Sequence, residues 1–230
     1  MSADDFLNNK KNYCFWLDDV DITPYRKSKE LQKRLSAVKE YRSSSNRAAT
    51  KKWLIIRCFL LKSDSLLQNY IMIPVVSSER RRYIPLAFLT HDIINSYASI
   101  SIPNATLYHF GVLMSNVHNA WIRITAGRLK SDYSYSTTIV YNNFPWCNPT
   151  PEQKSKIEQT AQAILDARAK YPDCSLADLY DETTMPPELR KAHQQNDFAV
   201  MAAYGFPKNI TESECVAELM KMYREITEEV

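Results

Sequence analysis

Three prolines within seven residues divide this sequence. Pro145, Pro149 and Pro151 lie in the stretch NNFPWCNPTPEQ. Each proline fixes φ and removes a backbone donor, so no regular element can continue through the cluster. Directly after it, Thr150 and Gln153 have the spacing of a helical capping box, with Pro151 at the first helical position. We therefore predict two domains, residues 6–147 and residues 148–230.

The second part, residues 148–230, contains only helical patterns. The stretch MPPELRKAHQQNDFAVMAAYGF begins with two prolines and ends at Gly205, which is the usual asymmetry of a helix. The stretch TESECVAELMKMYREITEEV opens with a capping box from Thr211 to Glu214. The sequence predicts a small bundle or a set of packed helical hairpins.

The first part mixes strand and helix patterns. Short segments rich in β-branched and aromatic residues predict strands at NYCFWL, KWLIIRCFLL, NYIMIPVV, RRYIPLAFL, SISIP and TTIVY. Two helices are predicted, one near Ser28 to Ser44 and one from about Ala105 to Ala126, with Gly127 as the residue just beyond the second. Their apolar sides contain Leu31, Leu35, Val38 and Tyr41 in the first helix, and Leu107, Phe110, Met114, Val117, Trp121 and Ile124 in the second. The predicted fold class is α+β, a mixed β-rich domain with two or more helices followed by an all-α region.

The net charge of +3 is unevenly distributed. Residues 1–150 contain 20 Lys and Arg against 11 Asp and Glu, whereas residues 151–230 contain 9 against 15. The two parts therefore have net charges of +9 and −6. Such asymmetry favours a basic part that faces a polyanion and an acidic part that faces something else. The alternative is two ordinary solvated surfaces.

The cysteines and the apolar segments indicate the cellular compartment of the protein. No apolar run reaches the roughly 18 residues that a membrane span needs, and the amino end has no apolar centre of a signal peptide. Five widely spaced cysteines, Cys14, Cys58, Cys147, Cys174 and Cys215, form no metal-binding or C-x-x-C pattern. We expect a cytoplasmic protein with reduced cysteines and no metal site.

Basic side chains lie beside hydroxyl-bearing and aromatic residues in three stretches. Guanidinium, ammonium and hydroxyl groups are the donors that position a phosphate backbone. The predicted phosphate-binding residues are Arg47, Lys51, Lys52, Ser77, Ser78, Arg80, Arg81, Arg82, Arg123 and Arg128.

The stretch GRLKSDYSYS places a cation and an anion two residues apart, at Lys130 and Asp132. The pair adds no net charge, so it contributes nothing to phosphate affinity. A lysine ammonium can donate to guanine O6 and N7, and a carboxylate can accept from the amino group of cytosine, so the two match a G·C pair in the major groove. The alternative is a weak surface ion pair.

One stretch suggests an enzyme. TTIVYNNFPW ends in Asn143, Phe144 and Pro145, which is similar to the N-P-P-[FY] loop of amino-methyltransferases. That chemistry also needs a Gly-rich cofactor turn, and the three glycines of this chain are not clustered. We predict no catalytic, cofactor-binding or metal-binding residue in this chain, with a stand-alone amino-methyltransferase as the less favoured alternative.

Several long motifs in order resemble one family. FLNNKKNYCFWL, YIMIPVVSSERRRYIPLAFL, PNATLYHFGVLMSNVHNAWIRITAGRLKSDYSYS, IVYNNFPW, AQAILDARAKYPDCSLADLYD and MPPELRKAHQQNDFAVMAAYGF resemble the carboxy-terminal part of large bacterial adenine-specific DNA methyltransferases. More narrowly, they resemble the MmeI-like type IIL restriction-modification enzymes, single chains that combine endonuclease, methyltransferase and target recognition domain.

The resemblance implies a target recognition domain followed by a helical carboxy-terminal domain. It implies a parent enzyme that transfers a methyl group from S-adenosylmethionine to adenine N6, whose methyltransferase domain lies upstream and whose cofactor binds there. The family's base-recognition positions in the G-R-L-x-x-x-Y stretch fall on Lys130, Asp132 and Ser134. The K-x-D order implies a guanine at one position of the recognised strand. Ser134 departs from the longer residue found in related chains.

The sequence leaves two roles open besides that of an enzyme. The first is recognition of double-stranded DNA on behalf of the upstream methyltransferase domain. The second is an interaction module whose acidic helical part docks on other domains and recognises no DNA itself. The full recognition sequence, any nuclease activity of the parent and the oligomeric state do not follow from these residues.

Overall fold

The structure, a computed structural model, describes residues 1–13, 21, 23–52, 69–95 and 98–228. The chain forms two compact units, one made of Met1–Lys11 with Asp64–Val230 and the other of Asn12–Ser63. The larger unit therefore contains both the described strands and the carboxy-terminal helices.

Helices and short strands alternate in the first 150 residues, and helices alone follow. The described strands are β1 (Tyr70–Pro74), β2 (Val76–Ser77), β3 (Ala87–Leu89), β4 (Ser99–Pro103), β5 (Gly127–Leu129) and β6 (Asp132–Ser134). The described α-helices are α1 (Ala3–Leu7), α2 (Lys29–Ser44), α3 (Ala48–Lys52), α4 (Leu107–Leu113), α5 (Asn116–Thr125), α6 (Pro151–Ala169), α7 (Leu176–Leu179), α8 (Pro187–Ala203) and α9 (Glu212–Glu228). The predicted α+β class with a helical carboxy-terminal region is confirmed.

The described strands form two antiparallel sheets of three strands each. In the first sheet the order is β3-β1-β4, with Ile71 opposite Phe88 on one side and Ile102 on the other. In the second sheet the order is β2-β6-β5, so that β6 is central. Tyr133 of β6 pairs with Ser77 of β2 and with Arg128 of β5.

The helix termini follow the capping signals of the sequence. The Thr150 hydroxyl accepts a hydrogen bond from the Gln153 amide and Gln153 caps Thr150 in return, as a capping box requires. Thr211 and Glu214 form the same arrangement at the start of α9. Gly205 has a φ of 73°, the left-handed conformation that ends α8 without the steric penalty of a Cβ.

The recognition part and the carboxy-terminal helices share one hydrophobic core. A Cβ on Gly111 of α4 would lie 2.6 Å from a side-chain carbon of Ile157 in α6, so only glycine allows the two helices this close an approach. Buried polar groups also join the two parts. The Tyr83 hydroxyl donates to Asp197 at 2.7 Å, and Nη1 of Arg168 donates to the carbonyl of Leu86 at 2.6 Å. Both contacts cross the predicted boundary at residue 147.

The long helix predicted from Ala105 to Ala126 is wrong in one respect, because α4 and α5 are separate helices. Ser115 begins the second helix. Its hydroxyl donates to the carbonyl of Val112 and accepts from the amide of His118, so it satisfies backbone groups on both sides of the break. Ile124, predicted to face inward, is 45% exposed. Gly127 directly follows the C-cap residue Ala126, as predicted, and it is also the first residue of β5.

The strand predicted at TTIVY is also wrong, since Thr137–Tyr141 forms one turn of π-helix. Ser136 caps this turn by accepting from the Ile139 amide. Four residues in that stretch are β-branched, which favours strands in general. Here the cap and the buried Val140 outweigh that preference.

The smaller unit contains α2 and α3. Leu31 and Arg42 are buried on α2, whereas Leu35, Val38 and Tyr41 are exposed, with Tyr41 at 74%. Three of the four apolar residues predicted to face inward on this helix are therefore exposed. Hydrophobic spacing indicates which side can pack, but it does not reveal whether a packing partner is present. Apart from Lys52, which ends α3, the predicted strand KWLIIRCFLL lies outside the described residues, and so does most of NYCFWL.

Candidate nucleic-acid interface

The stretch GRLKSDYSYS forms a β-hairpin. Strands β5 and β6 pair so that Gly127 lies opposite Ser134, and Leu129 lies opposite Asp132. Lys130 and Ser131 are therefore the two residues of the loop. Both are exposed, which puts the tip of the hairpin in solvent.

Lys130 has an unusual backbone conformation. Its φ is 58°, in the left-handed region where side chains other than glycine cost roughly 1 to 2 kcal/mol. Two-residue hairpins need such a conformation at this position, and glycine is the common choice there. A lysine at this position combines backbone strain with a charged side chain at the tip, a combination that is frequent at functional sites.

The Lys130 ammonium has no hydrogen-bond or ion-pair partner among the described residues. In particular, no ion pair joins Lys130 to Asp132, although both side chains are described. The weak surface ion pair, which was the alternative explanation of these two charges, is therefore not formed. The ammonium remains available to an external acceptor.

Asp132 is half-buried and tethered to the neighbouring turn. Its Oδ1 accepts a hydrogen bond from the backbone N–H of Glu79 at 3.4 Å. The Asp132 carboxylate also acts on Arg81. Burial lowers the pKa of the Arg81 guanidinium, and the negative charges of Asp132 and Asp181 oppose that effect. Asp132 thus lies between the hairpin tip and the arginine-rich turn.

Strand geometry separates the two faces of the hairpin. Side chains two residues apart on a strand point to the same face, so Asp132 and Ser134 share one face. Leu129, directly opposite Asp132, is exposed on that face. Tyr133 and Arg128 lie on the other face, where Tyr133 is buried. All three predicted base-recognition residues therefore lie at the tip or on one face.

The turn from Ser77 to Arg82 contains half of the predicted phosphate-binding residues. Arg80 and Arg82 are exposed, and Ser78 and Arg81 are half-buried. Ser77 is only 2% exposed, and its hydroxyl has no hydrogen-bond partner among the described residues. In this conformation Ser78, and not Ser77, can reach a phosphate at the surface.

A cavity of about 540 Å³ opens beside this turn. Its lining combines arginines with carboxylates and neutral side chains: Glu79, Arg80, Arg81, Arg82, Asn116, Ala120, Arg123, Glu182, Met201, Ile210, Thr211, Glu212 and Cys215. Because Glu79 lines the cavity and its amide also binds Asp132, the hairpin contacts one residue of the cavity wall.

Two of the predicted phosphate-binding arginines are already engaged within the protein. Arg123 forms an ion pair with Glu212 at 3.0 Å and donates to the carbonyl of Arg82 at 2.8 Å. Arg128 donates to the carbonyl of Ser131 at 2.8 Å. The side chains of Arg80 and Arg81, in contrast, make no hydrogen bond to any described residue.

The remaining predicted residues lie in the smaller unit. Arg47 and Lys51 are exposed. Lys52 is the last residue of α3, and its side chain lies outside the described part. Residues 12–63 contain 12 Lys and Arg against 5 Asp and Glu, a net charge of +7, whereas the larger unit has 17 against 21. The basic character of the chain is thus concentrated in this unit, including four exposed basic residues on α2, namely Lys29, Lys33, Arg34 and Lys39.

The segment Asn143, Phe144 and Pro145 does not form an open site. Phe144 is 4% exposed and packs edge-on against His118, Trp121 and Trp146. A ring in this position cannot stack on a substrate base. Among the described residues there is also no group of three or more side chains suited to hold a metal ion, and no described helix is long and apolar enough to cross a membrane.

Sequence reasoning missed Glu79 as part of the site. Its amide holds Asp132, and its carboxylate lies 3.8 Å from Arg128. Glu79 directly precedes the three arginines, so it was visible as the one acidic residue in SSERRR. The hydrogen bond between Glu79 and Asp132 joins residues that are 53 positions apart, and no pattern in a single sequence indicates it.

The fold and this site define a small α+β recognition module that presents a β-hairpin beside an arginine-rich turn. Comparison with known families gives a more specific assignment. The chain belongs to the MmeI family: residues 1–148 match the family described as MmeI, target recognition domain, and residues 149–230 match MmeI, C-terminal domain.

Two relatives extend this comparison. DNA methyltransferase A of Bacillus subtilis (strain 168) is 36% identical over 225 residues, which is 97% of this chain and 25% of that protein. A solved structure of the type IIL restriction-modification enzyme MmeI in complex with DNA superimposes with a TM-score of 0.93 at 41% identity. That match covers 99% of this chain and 30% of the other. The chain therefore spans about a quarter to a third of the length of these relatives.

Proposed function

We propose that this chain recognises a specific sequence in double-stranded DNA and delivers a methyltransferase to it. The observation that supports this most strongly is the hairpin tip, where Lys130 is exposed, Asp132 lies two residues further on and is half-buried, and the two form no ion pair with each other. Membership of the target recognition family and the likeness to a solved complex with DNA support the same conclusion.

The chemistry of the tip suits one base pair. The Lys130 ammonium donates to O6 and N7 of guanine, and Asp132 accepts from the N4 amino group of cytosine. Oδ1 of Asp132 is held by Glu79, which leaves Oδ2 for the base. Ser134, on the same face two residues further along β6, can contact a neighbouring base or phosphate.

Phosphate contacts would set the register of the DNA and supply most of the affinity. Arg80, Arg81 and Ser78 are the candidates beside the hairpin. Arg47 and Lys51, with Lys52, are the candidates in the smaller unit, whose net charge is +7. Arg82 remains a candidate, while Arg123 is a weaker one because its guanidinium already binds Glu212.

The parent enzyme in this proposal is a longer chain with a methyltransferase domain upstream. That domain would bind S-adenosylmethionine and methylate adenine N6, with or without a fused endonuclease. An adenine must leave the base stack to be methylated, so the recognition module would hold the duplex while the base is extruded.

The acidic helical part has a role in docking in this proposal. Its buried contacts run to the recognition part of the same chain, through Arg168 to Leu86 and through Asp197 to Tyr83. These contacts favour a structural role for the helical region, in which it supports the hairpin and the turn from Ser77 to Arg82. Docking of its exposed acidic surface on the upstream domain is the additional role proposed for residues 148–230.

The decisive experiment exchanges the two charges at the tip. In the full-length enzyme, Lys130→Glu combined with Asp132→Arg should change one position of the methylated sequence and leave the others intact. Sequencing of methylated sites in a genome that expresses the variant measures this. A charge-matched control on α9, Lys221→Glu with Glu218→Arg, alters two exposed residues and should keep the site. An unchanged site in the tip variant, with activity retained, contradicts the proposal.

A further inference from the structure

Arg128 makes three contacts that all lie within the hairpin and its neighbouring turn. Its Nη1 donates to the carbonyl of Ser131 at 2.8 Å, which closes the loop from the side of β5. Its guanidinium carbon lies 4.0 Å from the centre of the Tyr133 ring. The same Nη1 is 3.8 Å from a carboxylate oxygen of Glu79. Arg128 is 43% exposed, yet its head group is engaged on each of these sides.

The ring contact connects the loop to a fixed part of the sheet. Tyr133 is buried, belongs to the central strand β6 and pairs with Ser77 as well as with Arg128. A planar guanidinium stacked on such a ring is held in orientation by both electrostatics and packing. The hydrogen bond to Ser131 then transmits that orientation to the loop, in which Lys130 has its left-handed conformation.

Arg128 also lies on the wrong face for a phosphate contact beside the base pair. It is opposite Tyr133, so it projects from the face that Asp132 does not share. A phosphate that approached it would compete with the Ser131 carbonyl and would meet the Glu79 carboxylate. Repulsion between the phosphate and that carboxylate disfavours the contact.

We propose that Arg128 is a positioning residue for base recognition and not a phosphate contact. It holds the two-residue loop from the face opposite Asp132, so that Lys130 and Asp132 meet the edge of one base pair in a fixed geometry. This inference rests on the proposed function and adds a determinant of its specificity. Arg128 acts through Lys130 and Asp132 and touches no base.

Arginine and lysine distinguish the two roles. Both provide a positive charge to a phosphate, but only arginine provides a planar fork that stacks and donates at the same time. Arg128→Lys in the full-length enzyme should therefore reduce discrimination at the base pair recognised by Lys130 and Asp132 by about tenfold. The dependence of log K on log salt concentration should be unchanged, because no phosphate contact is lost.

The test measures binding of the enzyme to duplexes that vary one position of its methylated site, at several salt concentrations. Arg80→Lys and Arg80→Ala are the comparison for a phosphate contact, since Arg80 is exposed and makes no side-chain hydrogen bond to a described residue. Arg80→Ala should weaken binding to all duplexes uniformly and lower the salt slope by about one. Arg128→Lys should instead act at one position only.

Two results would overturn the inference, and they differ from each other. If Arg128→Lys retains discrimination while Arg128→Ala lowers the salt slope by about one for every duplex, Arg128 contacts phosphate and the proposed function stands. If the exchange of Lys130 and Asp132 leaves the preferred base pair unchanged in the same assay, the proposed function fails and the inference fails with it.

Discussion

The backbone N–H of Glu79 donates a hydrogen bond to Oδ1 of Asp132 at 3.4 Å, across 53 residues of sequence. The contact joins the turn after β2 to the hairpin of β5 and β6. It fixes one carboxylate oxygen, while the other accepts no hydrogen bond from a described residue. A carboxylate held in this way presents an acceptor, and not a donor, to the groove of a duplex.

Asp132→Asn tests the acceptor. The amide oxygen of asparagine can still accept from Glu79, which turns its NH₂ group towards the base. Two donors would then face each other at the N4 amino group of cytosine, and preference for that base pair should fall by roughly tenfold or more. Duplexes that vary at other positions should show an unchanged preference. Retention of full discrimination by this variant would contradict an acceptor role for Asp132.

The left-handed conformation of Lys130 leads to a prediction about stability. In Lys130→Ala the Cβ keeps the steric penalty at a φ of 58°, whereas Lys130→Gly removes it. The glycine variant should therefore be more stable than the alanine variant, by about 1 kcal/mol after the greater freedom of unfolded glycine is included. Urea unfolding of the 230-residue chain measures the difference.

The same pair of variants separates stability from recognition. Both lack the ammonium, so both should lose guanine preference to the same extent. If the alanine variant proved as stable as the glycine variant, the loop would have relaxed to a different turn. If only one of them lost guanine preference, loop conformation and not the ammonium would determine specificity.

Sequence alone predicted the helical carboxy-terminal region well because its signals are local. Capping boxes at Thr150 and Thr211 and the glycine at 205 involve residues within one turn of each other. The break at Ser115 is also local, but the apolar pattern continues through it and concealed it. The π-helical turn at Thr137–Tyr141 has the composition of a strand, so its side chains gave the wrong indication.

The site was predicted less completely because its geometry depends on distant partners. Lys130 and Asp132 could be chosen from their chemistry, and the hairpin places them at an accessible tip. The burial of Ser77 and the engagement of Arg123 by Glu212 depend on residues far away in sequence. Composition identifies basic residues, but only packing determines which of them have free donors.

The charge of the smaller unit leads to a prediction about affinity. If its exposed basic side chains contact phosphates, the triple substitution Lys29→Ala, Lys33→Ala and Lys39→Ala on α2 should reduce the magnitude of the salt slope by about two to three. Affinity should fall by the same factor for all duplexes, and the preferred sequence should stay the same. Binding of the 230-residue chain to duplexes at several salt concentrations measures both quantities.

A matched control removes the same charge elsewhere. Lys156, Lys191 and Lys221 are exposed lysines of α6, α8 and α9, in the acidic part of the chain. Their substitution by alanine should change the slope little, since the effect comes from contacts and not from net charge alone. Equal effects of the two triple variants would mean that α2 contributes only to the general field of the protein.

The buried carboxyl of Asp197 gives a prediction about pH. Burial raises its pKa to about 6, although hydrogen bonds from the Tyr83 hydroxyl and the Asn116 amide act in the opposite direction. An unfolded aspartate releases its proton near 3.8. Between these two values the folded protein binds the additional proton, so this group makes the free energy of unfolding fall as pH rises from about 4 to 6.

Asp197→Asn removes that dependence while it keeps an oxygen that can accept from Tyr83 or Asn116. The stability of the variant relative to the parent protein should therefore increase by on the order of 2 to 3 kcal/mol from pH 4 to pH 6, and stay constant above. Burial lowers the pKa of His118 to about 3 and also lowers the pKa of His193. These shifts make the free energy of unfolding rise with pH, which is opposite to the effect of Asp197. Both histidines are present in the two proteins, so their effect cancels in the difference.

Tyr83→Phe provides the complementary variant. It removes a hydrogen bond that lowers the pKa of Asp197, so the fall in stability should extend to higher pH than in the parent protein. Urea unfolding at pH values from 4 to 8 compares the three proteins. A difference between Asp197→Asn and the parent that is the same at every pH would mean that Asp197 titrates equally in both states. The contact between the recognition part and α8 would then contain an ionised carboxylate throughout this range.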